Sequence, residues 1–295
     1  MREQLTILYA TNTLTTERRA AIVRALCEGN CVRATARLTG AAKATVLKLL
    51  VDVGEFCSIY QDHALRNLTT RRIEADEIWA FVGAKQRNAK TPAQGDIWTF
   101  TAIDADSKLM LLWLVGERTP QNAYAFMQDV AARLANRVQL TTDGHSMCLT
   151  SVEGAFGYHG VDYAMIVKSY GLASEVGPQR RYSPMVCTGA TKERKLGNPD
   201  EALVSTSYVE RANLTMRTQM RRFTRLTNGF SKKAENHAHA VSLYFMFYNY
   251  CRPHTTLTKA AKGIKTTPAM AAGVTDRVWT VEDMLTRMDP DRPLH

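Results

Sequence analysis

Three acidic residues, far apart in the sequence, have the chemical type and the setting of metal ligands. Asp76 lies in RIEADEIWAFVG and Asp143 in VQLTTDGH, at or near the ends of strand-like runs, while Glu210 opens the helix-like segment SYVERANLTMRTQMRRF. Because neighbouring strand ends and a helix packed across them share one edge of a sheet, we expect the three carboxylates to meet. Such a cluster suits two divalent cations, Mg²⁺ or Mn²⁺, about 3.5–4 Å apart, an arrangement that drives in-line phosphoryl transfer.

Asp76 has acidic neighbours that compete for this role. Along a strand, Glu74 and Asp76 share one face and Glu77 takes the other. An acid within an apolar run is costly to bury unless it binds a cation or a partner, although a solvated acid on an edge strand is an alternative. Asp104 and Asp106 are typical hairpin-turn residues, and we assign them to a turn.

Glu210 begins a stripe of polar residues along the predicted helix. At about 100° per residue, Arg217 and Arg221 both return to within about 20° of Glu210, and Asn213 flanks the same face. One acid stands among five arginines between positions 210 and 225: Arg211, Arg217, Arg221, Arg222 and Arg225. A solvated helix with Glu–Arg pairs is the alternative, but so basic a helix repels itself unless an anion lies against it.

The net charge is concentrated near this helix. The 295-residue chain carries a formal charge of +10, and the segment 180–233 contains twelve Lys and Arg residues against four acids. A surface that receives a phosphate backbone has this character, so Arg180, Arg181, Asn213, Arg222 and Arg225 join Arg217 and Arg221 as predicted DNA contacts.

Cysteine usage and hydropathy favour a cytoplasmic protein. The six cysteines form no C-x-x-C pair and are expected to be reduced thiols. No apolar run approaches the roughly 18 residues of a membrane span, and the N-terminus lacks a signal-peptide pattern.

The N-terminal region predicts a helix-turn-helix domain over residues 1–62. Three helical patterns follow one another from Thr15 to about Glu55, with Gly29 and Gly40 ending the first two. The segment KATVLKLL would be the recognition helix, which directs Lys43, Thr45 and Lys48 toward a major groove. A plain three-helix bundle is the alternative. Residues 63–70 are the predicted linker.

From residue 71 the pattern changes to one typical of an α+β domain, predicted over 71–250. A strand, a hairpin, a helix and two more strands precede the basic helix, an order found in the RNase H-like core, a mixed sheet flanked by helices. Residues 172–204 are basic with little periodicity and are predicted to form a loop or insertion. Residues 251–295 form a helical C-terminal tail, whose apolar stripe WTVEDMLTRM serves assembly or docks on the core.

Three blocks of the sequence together resemble a known family. ADEIWAFVGAKQRNA, TTDGH and YVERANLTMRTQMRRFTRLTNGFSKK are similar to the DDE transposases of the bacterial insertion sequence one family, over about residues 71–249. The resemblance implies that Asp76, Asp143 and Glu210 are the DDE trio, and that Arg217 contacts DNA near the scissile end. It also implies that the chain acts as a homo-oligomer on paired terminal inverted repeats and on target DNA.

The chain departs from that family at its N-terminus. Members often carry a cysteine zinc finger there, and this sequence has none, so end recognition would depend on the helix-turn-helix alone. Two other functions stay open: a metal-dependent nuclease of the same fold that does not join DNA, and a non-catalytic DNA-binding repressor derived from a transposase. The Ser-Tyr pairs at 169–170 and 207–208 lack the arginine and histidine grouping of a recombinase.

Overall fold

The structure of the protein is a computed structural model that describes residues 14–144, 146–157, 160–171, 186–224 and 228–289. Its strands are β1 (Arg72–Val82), β2 (Gly95–Asp104), β3 (Met110–Gly116), β4 (Val138–Asp143), β5 (Val161–Gly171) and β6 (Val186–Leu196). Its helices are α1 (Thr16–Cys27), α2 (Val32–Thr39), α3 (Lys43–Ala64), α4 (Pro120–Ala132), α5 (Ser146–Phe156), α6 (Ser207–Gln219), α7 (Ala234–Met246), α8 (Thr255–Ala260), α9 (Pro268–Ala271) and α10 (Val281–Met288).

The six strands form one mixed sheet in the order β3-β2-β1-β4-β5-β6. β1 pairs antiparallel with β2 and parallel with β4, β4 pairs parallel with β5, and β6 closes the other edge antiparallel to β5. The protein is therefore α+β, with a mixed sheet flanked by helices that is compatible with an RNase H-like core.

Side chains of β1 alternate between two cores, one on each face of the sheet and each covered by helices. Ile73 and Ala75 face a core formed with α4 and α5, whereas Ile78 and Ala80 face a larger core that includes residues of α3, α6 and α7. Glu74 and Asp76, being even-numbered, lie on the α6 side. The pattern of β1 thus decides which helix layer its acids meet.

The turn between β2 and β3 is built by the predicted hairpin residues. Asp104 accepts hydrogen bonds from the backbone N–H of Asp106 at 2.9 Å and from the Ser107 hydroxyl at 2.6 Å. Lys108 completes the turn with a positive φ of 63°. Asp104 and Asp106 therefore act in turn formation, as the sequence predicts.

The prediction of a loop or insertion over 172–204 is wrong for its second half, because β6 occupies Val186–Leu196. Most of the strand is exposed on both faces, so it carries no alternating apolar pattern, and its pairing with β5 defines it instead. Residues 172–185 lie outside the described part of the chain.

The N-terminal helices and the C-terminal tail share one core. A single cluster of buried side chains extends from Ala20 in α1 to Leu285 in α10. Arg19 forms an ion pair with Asp289 at 2.6 Å, which holds α1 against the end of α10. The apolar stripe of the tail therefore docks on the core.

The third N-terminal helix is longer than predicted. α3 continues to Ala64 and covers the first two residues of the predicted linker. It packs along α7, and at Gly54 an added Cβ would lie only 2.5 Å from Cβ of His239. Among the described helices, none combines the length and apolar character needed to cross a membrane.

Candidate metal centre at the sheet edge

Asp76 and Asp143 lie side by side where β1 and β4 run parallel. The pairing of Ala75 with Thr142 places the next residue of each strand, Asp76 and Asp143, beside each other. Together with Glu77 they form a group whose carboxylate oxygens all lie within 4.8 Å of one another. The structure thus brings together two of the three predicted acids and adds one that the sequence placed on the opposite face.

Glu77 joins the group although strand alternation turns it away from Asp76. β4 ends at Asp143, and its last pair with β1 is Ala75–Thr142. Beyond this point no strand of the described sheet lies beside β1 on that side, so the Glu77 side chain is not separated from Asp76 and Asp143 by a neighbouring strand. Arg118 holds Glu77 in place, with its Nε 2.7 Å from Oε1, while the guanidinium lies 4.5 Å from the ring centroid of Trp98. The adjacency of the two acids in the sequence was the only available signal.

Glu210 lies outside this compact group. Its Oε1 forms an ion pair with Lys168 Nζ and accepts a hydrogen bond of 2.6 Å from the Thr206 hydroxyl. The prediction that all three acids share one pocket is therefore met only in part. The Glu210 side chain is 43% exposed and lies on α6, the helix that crosses the sheet edge.

Asn213, one turn after Glu210, connects α6 directly to the acids. Its Nδ2 donates to Oδ2 of Asp76 at 2.9 Å, and its Oδ1 accepts from the Thr101 hydroxyl at 3.3 Å. Both side-chain groups of this buried amide are satisfied, so its orientation is fixed. Asn213 was predicted as a DNA contact, whereas here it binds Asp76.

Glu74 sets the start of α6. Its Oε2 accepts hydrogen bonds from the backbone N–H groups of Tyr208 at 2.7 Å and Val209 at 3.0 Å. A carboxylate at a helix N-terminus satisfies free N–H groups and complements the helix dipole. Glu74 thus positions the helix that brings Asn213 and Glu210 to the sheet edge.

The environment of the group disfavours the charged forms of Asp76 and Glu77. Burial raises the pKa of Asp76 to about 6, and the nearby Asp143 and Glu77 carboxylates add to the effect. Burial and Asp143 also raise the pKa of Glu77, although Arg118 opposes the shift. A cation between the carboxylates would relieve this repulsion.

Three closely spaced carboxylates are a donor set that fits a hard divalent cation. Mg²⁺ and Mn²⁺ prefer oxygen ligands, and Mg²⁺ sites commonly use one or two carboxylates and keep several waters. Asp76, Asp143 and Glu77 supply these oxygens at one solvent-accessible edge. The residues present therefore fit the predicted cofactor.

The predicted arginine stripe is interrupted. α6 ends at Gln219, Met220 is extended with φ −115° and ψ 106°, and Arg221 begins a separate 3₁₀ turn. Arg221 therefore does not continue the helical face of Glu210, because burial of Met220 and Phe223 draws the chain into the core. Arg217 remains on α6 and is half-buried.

The other predicted DNA contacts lie on α3, in the turn after α6, or outside the described residues. Lys43 and Lys48 are exposed on the first turns of α3, and Thr45 is half-buried between them. Arg222 is half-buried and donates to the Ser231 hydroxyl at 2.9 Å. The remaining predicted contacts, Arg180, Arg181 and Arg225, lie outside the described residues.

No family model matches this chain, and no curated protein matches it.

Proposed function

We propose that the protein is a metal-dependent polynucleotidyl transferase, a transposase that cleaves DNA at the ends of an insertion element and joins them to a target. The observation that carries the proposal is the pairing of Asp76 and Asp143 at the edge of a mixed sheet. Asn213 contacts Asp76 from the helix that also bears Glu210. Two strand acids beneath one basic helix are a suitable frame for phosphoryl transfer to and from DNA.

Asp76 and Asp143 would hold the cations, with Glu77 or Glu210 completing the ligands. When bound, two divalent cations supply an activated oxygen nucleophile and charge stabilisation at the attacked phosphorus. Glu210 becomes a ligand only if its carboxylate leaves Lys168, and its 43% exposure leaves room for such a change. Lys168 then serves as the cation that compensates Glu210 before metal binds.

DNA binding is assigned to basic residues on either side of the acids. Arg217 lies two turns after Glu210, and Arg221 is exposed in the following turn. Lys43 and Lys48, on the exposed side of α3, would contact the element ends, in the helix-turn-helix role predicted from the sequence. Arginine and lysine at these positions would neutralise phosphates and make binding strongly dependent on salt.

The proposed partners are double-stranded terminal repeats and target DNA, held by a homo-oligomer on paired ends. This part of the proposal rests on the family resemblance of the sequence. A multimer of this chain would supply one reaction site for each end of the element.

The test is a cleavage and strand-transfer assay in Mg²⁺ or Mn²⁺ with two labelled duplexes, one in which the element end continues into flanking DNA and one that stops at the element 3′-hydroxyl. We expect cleaved and joined products from the unmodified protein, and loss of both with Asp143→Asn and with Glu210→Gln, while end binding persists. Asp52→Asn, an exposed acid of α3 with the same change of charge, is the matched control.

The assay also separates the alternatives. Cleavage without joined product would identify a nuclease, and DNA binding without either product would identify a non-catalytic repressor. Normal cleavage and joining by Glu210→Gln would remove Glu210 from the proposed ligands.

A further inference from the structure

A large cavity separates the N-terminal helices from the end of α6. Its volume is about 660 Å³, within the range of roughly 300–1,000 Å³ typical of ligand pockets. The α1–α2 turn and the start of α3 form one wall, and Gln219, Met220 and the first turns of α7 form the other. The two walls come close together at Gly29, which has a φ of 79°. A Cβ at this position would lie 2.2 Å from the Gln219 carbonyl oxygen, so only glycine allows this approach.

The charged residues around the cavity are all of one sign. Six cationic side chains line it, and none of the described lining residues is acidic; the six are Arg33, Lys43, Arg221, Arg222, Lys232 and Lys233. Cations gathered around a concave surface without acids repel one another and concentrate positive potential inside it. The ligand that suits this wall is an anion.

Arg222 points to the same conclusion independently. Its guanidinium donates to the neutral hydroxyl of Ser231 at 2.9 Å, and no ion pair of Arg222 occurs among the described residues. Burial lowers the pKa of Arg222 to about 10, with no carboxylate to offset the loss of water. Charged groups that are withdrawn from water are normally paired with an opposite charge, and the half-buried Arg222 guanidinium has no such partner among the described residues.

The floor of the cavity is apolar. Leu47 and Leu50 from α3 and Leu243 and Tyr244 from α7 line it, together with Met220. A phosphate alone would satisfy the cations and leave this floor in water. A ligand that carries a phosphate and a flat aromatic ring would cover both.

The cavity is close to the acids along the same helix. Gln219 in its wall follows Asn213, the residue bonded to Asp76, by six residues, or about 9 Å along the helix axis. DNA advances about 3.4 Å per nucleotide along one strand. A strand that runs from Asp76 and Asp143 along α6 would cover this distance with about two to three nucleotides.

We propose that this cavity binds one unpaired nucleotide of the DNA strand near the bond to be cut, with its phosphate on Arg222 and its base on the apolar floor. This inference rests on the proposed function for the identity of the strand. It adds a site that separates a nucleotide from the duplex beside the reaction centre.

The experiment measures binding of labelled duplexes by fluorescence anisotropy, in chelator so that no cleavage occurs. The probes are a blunt duplex, duplexes with a four-nucleotide 3′ or 5′ single-stranded extension, and the same extensions with one abasic nucleotide at each position in turn. Base stacking in single-strand sites contributes about 1–3 kcal/mol per base, or about a 5- to 150-fold change in affinity. We expect one abasic position to weaken binding by such a factor, and the others by less than about twofold.

Two variants assign that effect to the cavity. Tyr244→Leu removes a ring from the floor and should abolish the difference between the intact and abasic probes, while the blunt duplex binds as before. Arg222→Met should weaken binding of the extended probes. If Arg222→Met is unfolded by thermal melting, the exposed pair Lys232→Ala and Lys233→Ala replaces it, with the same expectation.

The inference would be overturned by extended probes that bind no better than the blunt duplex, by equal effects of an abasic nucleotide at every position, or by unchanged discrimination in Tyr244→Leu. Inorganic phosphate that displaces the extended probe as effectively as a deoxynucleotide monophosphate would also overturn it, because the floor would then play no part. Asp76→Asn should retain the discrimination. If it does while the unmodified protein neither cleaves nor joins DNA, the proposed function fails and the nucleotide site stands.

Discussion

Replacing Asp76 with Asn should make the metal-free protein more stable at neutral pH. Burial and the nearby Asp143 and Glu77 carboxylates disfavour the charged form of Asp76 and raise its pKa from 3.8 to about 6. This shift corresponds to about 3 kcal/mol of destabilisation of the folded protein when Asp76 is ionised. An Asn at this position keeps the shape and can still accept the hydrogen bond from Asn213. We expect a gain of about 1–3 kcal/mol in the free energy of unfolding, since solvent at the sheet edge screens part of the repulsion.

The gain should depend on pH in a defined direction. Between about pH 4 and pH 6 the folded protein holds a proton on Asp76 that the unfolded chain has released, so the free energy of unfolding falls as pH rises through this window. The difference between Asp76→Asn and the unmodified protein should be near zero at pH 4 and complete above about pH 7. Urea unfolding in chelator at pH 4, 5, 6 and 7.5 measures it.

A divalent cation should offset this advantage. At Mg²⁺ concentrations about 100 times the dissociation constant, a protein that binds only when folded gains about 2.7 kcal/mol, and Asp76→Asn should gain less. Asp52→Asn, at an exposed position of α3, controls for the change in net charge. The reasoning is refuted if Asp76→Asn is no more stable than the unmodified protein at pH 7.5 in chelator, or if its advantage does not change with pH.

Three further substitutions test how the site is supported. Gly54→Ala should lower the free energy of unfolding by about 1–2 kcal/mol, because the added methyl meets His239 at 2.5 Å and outweighs the better helix propensity of Ala. Arg133→Met should lower it by about 2–4 kcal/mol in urea unfolding, because the buried guanidinium binds two carboxylates and a backbone carbonyl that join α3 to α4. Lys168→Met should tighten Mn²⁺ binding in calorimetry about three- to tenfold, because it removes the cation that pairs with Glu210.

Each of these substitutions has a matched control in the chain. Gly189→Ala adds a methyl where no atom lies within 4 Å and should leave stability nearly unchanged. Arg137→Met removes an arginine from an exposed ion pair and should cost measurably less than Arg133→Met. Lys195→Met removes a lysine from β6 and should leave Mn²⁺ affinity unchanged. A control equal to its partner variant would contradict the corresponding explanation.

The sequence was informative wherever burial imposes a period on the side chains. β1 to β5, the hairpin at Asp104, and α4 and α6 all carry apolar patterns or turn residues that fix their type. β6 has most of its side chains in solvent and depends on backbone pairing with β5, so no pattern in Val186–Leu196 distinguished it from a loop. The helix Ser146–Phe156 was likewise not predicted.

The site was predicted in part for the same reason. Asp76 and Asp143 could be placed because each belongs to a recognisable strand and the two strands are neighbours. Glu77 was missed because alternation assigns it to the opposite face, and only the end of β4 at Asp143 brings the faces together. The pairing of Glu210 with Lys168 depends on β5 and α6 packing at one end of the sheet, a tertiary contact that neither segment encodes by itself.

Binding of Mn²⁺, measured by calorimetry on the unmodified protein and on Asp143→Asn, tests the central claim most directly. If the carboxylates at the sheet edge form a cation site, the unmodified protein binds Mn²⁺ and Asp143→Asn binds it at least about tenfold more weakly, while Asp52→Asn is unaffected. An unmodified protein that takes up no Mn²⁺ at millimolar concentrations, or an Asp143→Asn variant that binds as tightly, would contradict the account.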